Sequence, residues 1–117
     1  MFEAYKKPNL VHKFSKAPKT EMEFRFPTSE NDRDLERFLE THPTLLEAKI
    51  YQLSLLFVGT KLMRDEVSSK TDERVPIMEE SDPVVMKMDI FMAMPVGMID
   101  ELHDALMAYY PDWKLTE

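Results

Sequence analysis

The chain has no cysteine, only two glycines among its 117 residues, and no long apolar run. The missing cysteines exclude disulfides and thiolate metal sites together, so stability must come from packing, as is usual in reducing compartments. With only Gly59 and Gly97 there is no phosphate-cradling loop, and no serine sits in a nucleophile elbow, so an enzyme is not expected. The most apolar stretch, Leu53 to Gly59, falls far short of the ~20 residues a bilayer crossing needs, and Glu47, Lys49, Gln52 and Lys61 interrupt its extension. The first twenty residues hold Lys6, Lys7, Lys13, Lys16 and Lys19 without the apolar run that makes a signal peptide.

What remains is the size of one domain, able to bury roughly two-thirds of the surface its unfolded chain exposes. Its net charge of −7 is unevenly placed: five lysines against Glu3 alone give residues 1–20 a charge of +4 and leave −11 on the rest. An acidic body argues against nucleic-acid binding, where a basic stripe supplies most of the affinity, and suits solubility or a basic partner. Residues 1–20, with Pro8 and Pro18 and no sustained period, read as an extended basic arm. Phe2, Tyr5, Leu10, Val11 and Phe14 could anchor that arm on a surface, its own or a neighbour's.

Residues 21–117 read as a single helical domain. Glu21 to Phe26 alternates with Met22, Phe24 and Phe26 on one face, a half-buried strand ended by Pro27. A lone strand needs company, either the arm around Leu10 to Phe14 or the same strand of another subunit. Ser29 offers an N-cap with Asp32 at the third helical position, and Leu35, Phe38 and Leu39 follow at helical spacing until His42-Pro43. Thr44-Leu45-Leu46-Glu47 is a capping box opening a helix to about Met63, apolar around most of its circumference and so expected to be surrounded. A flexible polar loop spans about residues 64–80, with Val75 to Met78 as an extended patch. Ser81 or Asp82 caps the next helix with Pro83 at its first position, and Val84, Val85, Met88, Phe91 and Met92 form its apolar side. After Met94, Pro95 opens a last helix with Met98, Ile99, Leu102, Leu106, Met107 and Tyr110 at helical spacing, and Asp112 to Leu115 folds back or frays. The expected fold class is mainly α: a compact four-helix domain preceded by an extended N-terminal arm and one short β-strand or hairpin.

The constellation most like a metal site is Asp100, His103 and Asp104 on one helix face. A di-metal bundle needs such a motif twice with two further carboxylates, and here it occurs once, so a solvated polar face is expected and no metal. His12 and His42 have no ligand-spaced companions. No catalytic residue and no cofactor is expected.

Seven of the ten methionines lie between Met78 and Met107. Methionine is unbranched and polarisable, so it serves equally as core filler and as a surface that repacks against partners. Met86, Met88, Met92, Met94 and Met98 cannot all point one way at helical spacing, so part of the cluster must face outward. The residues expected to contact a protein partner are Met86, Met92, Met94 and Met98, with Phe57 from the over-apolar helix and Tyr5 and Phe14 from the arm.

The order of elements, Phe24-Arg25-Phe26-Pro27-Thr28, an acidic helix, a very apolar helix, a polar loop, then Ser81-Asp82-Pro83 and two helices ending in Tyr109-Tyr110, resembles the tail assembly chaperones of long-tailed bacteriophages. The likeness covers roughly residues 21–110 and rests on length, element order and the strand-to-Pro-Thr junction. It implies a small self-associating protein that coats the phage tape measure protein in the host cytoplasm during virion assembly and gives way to tail tube protein. That family has no invariant functional motif, so no binding residue carries over. Two other readings fit the chain: a phage structural subunit that assembles through its N-terminal arm, and an acidic inhibitor of a host nucleic-acid enzyme. The second is weakened because Arg33, Arg37, Lys49, Lys61 and Lys87 interleave the carboxylates.

Overall fold

The computed structural model describes residues 7–60 and 78–113, the side chains of residues 17–19 excepted. Along the chain run β1 (Leu10–Phe14), β2 (Ala17–Phe24), α1 (Ser29–Leu39), α2 (Leu45–Leu56), β3 (Phe57–Thr60), α3 (Val84–Met92) and α4 (Val96–Tyr109). The strands form one antiparallel sheet in the order β1-β2-β3. The fold is therefore α+β, four helices with a three-stranded antiparallel sheet among the described residues, which corrects the mainly α expectation in two places. The arm around Leu10 to Phe14 does pair with the Met22–Phe24 strand, Leu10 opposite Phe24 and His12 opposite Met22, but residues 10–20 are thereby most of a hairpin in the chain's own sheet and not an extended arm. The helix expected to run to Met63 ends at Leu56, where Phe57 turns extended at φ −61° and ψ 132°. The apolar run from Leu53 to Gly59 is thus two elements in succession, and Phe57-Val58-Gly59-Thr60 supplies the aromatic and β-branched residues that suit a pleated surface.

Alternation along the strands separates two faces. Phe14, Met22, Phe24 and Phe57 are buried on the inner one, while Val11 and Lys13 are exposed on the other. Phe24 meets Phe57 edge to face, and Phe57 meets Phe91 of α3 the same way at 6.3 Å between ring centres. Helix α2 is the hub, packed against α1, α3 and α4, with Ile50, Leu53 and Leu56 fully buried. Phe38 of α1 stacks on Tyr51 of α2 at 4.1 Å.

Local signals set most boundaries. Thr44 and Glu47 form the expected capping box, each side chain bonding the other's backbone N–H. The box that opens α1 lies one residue before the expected cap: Thr28 is the N-cap and Asn31 the third position. His42, at φ 56°, is the only non-glycine residue in the left-handed region among those described. It follows α1 where a glycine is usual and turns the chain into Pro43. Trp113 folds back, donating from Nε1 to Asp32 Oδ1 at 3.1 Å. Residues 1–6, 114–117 and the part of the polar loop at 64–77 lie outside the described residues.

Arg25, just beyond β2, joins three elements. Its backbone N–H donates to Leu56 O at 2.9 Å. Its guanidinium donates to Leu55 O at 2.9 Å, to Asn31 Oδ1 at 2.9 Å and to Phe26 O at 3.3 Å. One cation thus closes the C-terminal end of α2 and the N-terminal cap of α1 at once. Arg25→Met is expected to destabilise the fold by about 2–4 kcal/mol in urea denaturation, because the carbonyls it leaves are partly buried. His42→Gly is expected to gain about 0.5–1 kcal/mol, the relief of left-handed strain less the larger unfolded-state entropy of glycine, and His42→Val to lose stability in the same measurement.

Candidate interaction surface

Helix α3 is turned about its axis relative to its sequence pattern. Lys87 faces inward and is buried, whereas Val85 and Met92, expected on the apolar side, face out. Two contacts set this rotation. Phe91 seats against Phe57, and the Lys87 stem follows it inward until its ammonium lies 5.7 Å from the centre of the Phe57 ring and donates to Glu80 O at 2.6 Å. Burial holds the Lys87 pKa below its usual value, with nearby Arg25 acting the same way and Glu80 and Asp82 opposing. Asp82, expected to cap the helix, instead accepts from the Glu79 N–H at 2.8 Å, and Pro83 stands at the N-cap without a side-chain bond.

The consequence is an apolar outer face on α3. Val85 is 70% exposed, Met86 50%, Met92 47%, and Val96 at the start of α4 61%. Asp89 is exposed on the same face. Of the six large apolar side chains exposed among the described residues, Val11 and Leu45 stand apart and the other four cluster within twelve residues around one helix corner, and clustering, unlike single scattered exposure, calls for an explanation.

Beside this face is a hollow of about 320 Å³ lined by Phe14, Lys16, Pro95, Gly97, Met98 and Glu101. The hairpin wall is held by Glu101. Its carboxylate accepts from the Ser15 N–H at 2.9 Å and the Ser15 hydroxyl at 2.7 Å, and pairs with His12 Nε2 at 2.5 Å. These bonds lower the Glu101 pKa, His12 most and Ser15 next. The Ser15-Lys16 turn contains no positive φ, so it lacks the backbone twist that two-residue hairpins favour. The register shift between Lys13 and Phe14 and the Glu101 grip take up the mismatch.

Of the seven residues expected to meet a partner, Met86 and Met92 are on the outer face and Met98 lines the hollow. Phe57 and Met94 are buried, their apolar area spent on the chain's own core, and Phe14 is buried except where it walls the hollow. Tyr5 lies outside the described residues. Val85, Val96, Lys16 and Gly97 were not among the expected contacts. Lys87, the one lysine of α3, is the sequence signal for the first, since it can turn inward only by turning Val85 out.

Asp100, His103 and Asp104 do not converge. His103 is buried between α2 and α4 and donates from Nε2 to Gln52 Oε1 at 2.6 Å, Asp100 lies 3.5 Å from Lys49 Nζ, and Asp104 is exposed. Among the described residues no three His, Cys, Asp or Glu side chains are grouped to hold a metal ion, and no helix is long and apolar enough to cross a membrane. No family model, curated protein or solved structure matches the chain.

Burial lowers the His103 pKa to about 4, assisted by Lys49 and opposed by Asp104 and Asp100. The unfolded chain therefore binds a proton near pH 6.5 that the folded chain refuses until about pH 4. Stability from this group is complete above pH 6.5 and lost as pH falls from there towards 4. Denaturation midpoints measured between pH 7 and 5 are expected to fall more steeply for the native chain than for His103→Gln.

Proposed function

We propose that the protein is a non-enzymatic, protein-binding assembly factor of the phage tail assembly chaperone type, shielding an apolar client in the host cytoplasm during virion assembly. The client is the tape measure protein, later displaced by tail tube protein. The observation that carries the reading is the outer face of α3, where Val85, Met86, Met92 and Val96 are exposed at a helix corner on a body whose charge otherwise favours water. Methionine at two of the four positions suits a client whose surface changes along its length, because the side chain repacks at low cost. The alternative, a structural subunit linked through residues 1–20, has less support: residues 10–14 and 17–20 belong to the chain's own sheet, so removing them would unmake the fold along with any assembly. The acidic-inhibitor reading gains nothing either, since Asp32 is engaged by Trp113.

The test is co-expression with the longest coiled-coil reading frame of the same genome. A complex that survives purification, and that Met86→Asp with Met92→Asp weakens at least tenfold while leaving the circular dichroism spectrum unchanged, is the expected outcome. No complex with the native chain would overturn the reading.

A further inference from the structure

The outer face of α3 and the neighbouring hollow have complementary chemistry. The hollow is walled by apolar surface from Phe14, Pro95 and Met98, and carries one unengaged charge: among the described residues Lys16 makes no hydrogen bond or ion pair. Glu101 is the other charged group on its rim, and its oxygens are taken by His12 and Ser15. The α3 face offers the converse, apolar Val85, Met86 and Met92 around one exposed carboxylate, Asp89, whose side chain is likewise unengaged among the described residues. The two features are neighbours. Met92 precedes Pro95 by three residues, a reach of no more than about 11 Å, and the exposed Val96 sits between two lining residues, Pro95 and Gly97.

We infer that the hollow receives the α3 face of a second copy of this chain. Knob and hole adjoining at the α3–α4 corner suit a two-fold dimer, in which the α3 of each copy enters the hollow of the other. Met92 of one copy meets the Phe14 and Met98 walls of the other, and Asp89 meets Lys16, twice in the same interface. Gly97 permits the approach: a Cβ there meets nothing within 4 Å, so the floor stays open to an incoming side chain. The inference rests on α3 being a binding surface and adds that the chain itself is the first occupant, so that client binding and self-association exclude each other.

The measurement is molar mass by sedimentation and light scattering as a function of concentration. The native chain is expected to dimerise, and Lys16→Glu and Asp89→Lys are each expected to weaken the dimer at least tenfold by placing like charges opposite one another. Mixing these two variants is expected to restore a one-to-one dimer, because every pair in the mixed interface is again of opposite sign. Gly97→Trp, which fills the hollow from within, is expected to be monomeric with an unchanged circular dichroism spectrum. A native chain that stays monomeric, single variants that dimerise as well as the native chain, or a mixture that fails to dimerise would each overturn the inference. Lys16→Glu leaves the α3 face intact and is expected to bind the tape measure client at least as well as the native chain. A native chain that binds the client but stays monomeric therefore sinks only this inference, and a native dimer that captures no client sinks only the chaperone reading.

Discussion

The fold depends on a single guanidinium at the point where the sheet gives way to helices. Arg25 leaves β2, and within its reach are the start of α1 and the end of α2, two helix termini whose polar backbone groups would otherwise face a partly buried, apolar junction. A helix C-terminus carries partial negative charge, so a cation is the natural group to place there. The Asn31 side chain, which accepts from Arg25, is also the third residue of the α1 cap and accepts from the Thr28 N–H. The cap and the strand end are thus fixed by one atom. Because Arg25 also bonds Leu56 through its backbone, the chain enters β3 already aligned with β2.

Much of this was legible in the sequence wherever a short-range rule applied. The Thr44 capping box, the Pro95 break and the alternation of Met22 and Phe24 each depend on neighbours within four residues, and each is where it was expected. Two helix caps differ locally, Thr28 in place of Ser29 and Pro83 in place of Ser81 or Asp82, but the larger failures are long-range. Nothing near Phe57 says that Phe24 waits to pair with it, so an apolar run that continues a helix pattern reads as helix. The orientation of α3 is likewise decided by a ring on another element, which made a buried lysine and an exposed valine the outcome of one rotation. Of the candidate contacts, Met86 is legible from spacing, Met92 reaches the surface only through the rotation of α3, and the hollow is not legible, since β1 and α4, far apart in the chain, each supply a wall.

The interior and surface of the helical layer are partly exchanged. Inside are Lys87, Gln52 and His103, with Gln52 Nε2 buried and without a hydrogen-bond partner among the described residues, while outside are two valines and two methionines. Each half of that exchange costs stability, the first through desolvation and the second through unburied apolar area. A chain selected for stability alone would reverse them. Under the proposed role the exposed half has a use outside the chain's own core, and a net charge of −7 favours dispersal in water.

The passage from α2 to β3 without an intervening residue has a consequence for how the sequence can vary. A loop absorbs added or lost residues; a shared boundary does not. One residue inserted at Leu56-Phe57 would either turn the buried face of α2 by about 100° or send every β3 side chain to the opposite side of the sheet, and the Arg25 bonds to Leu55 and Leu56 leave neither element free to shift alone. Length change in this protein is therefore confined to other joints, and the spacing from Thr44 to Thr60 behaves as a fixed ruler against which the rest of the chain is measured.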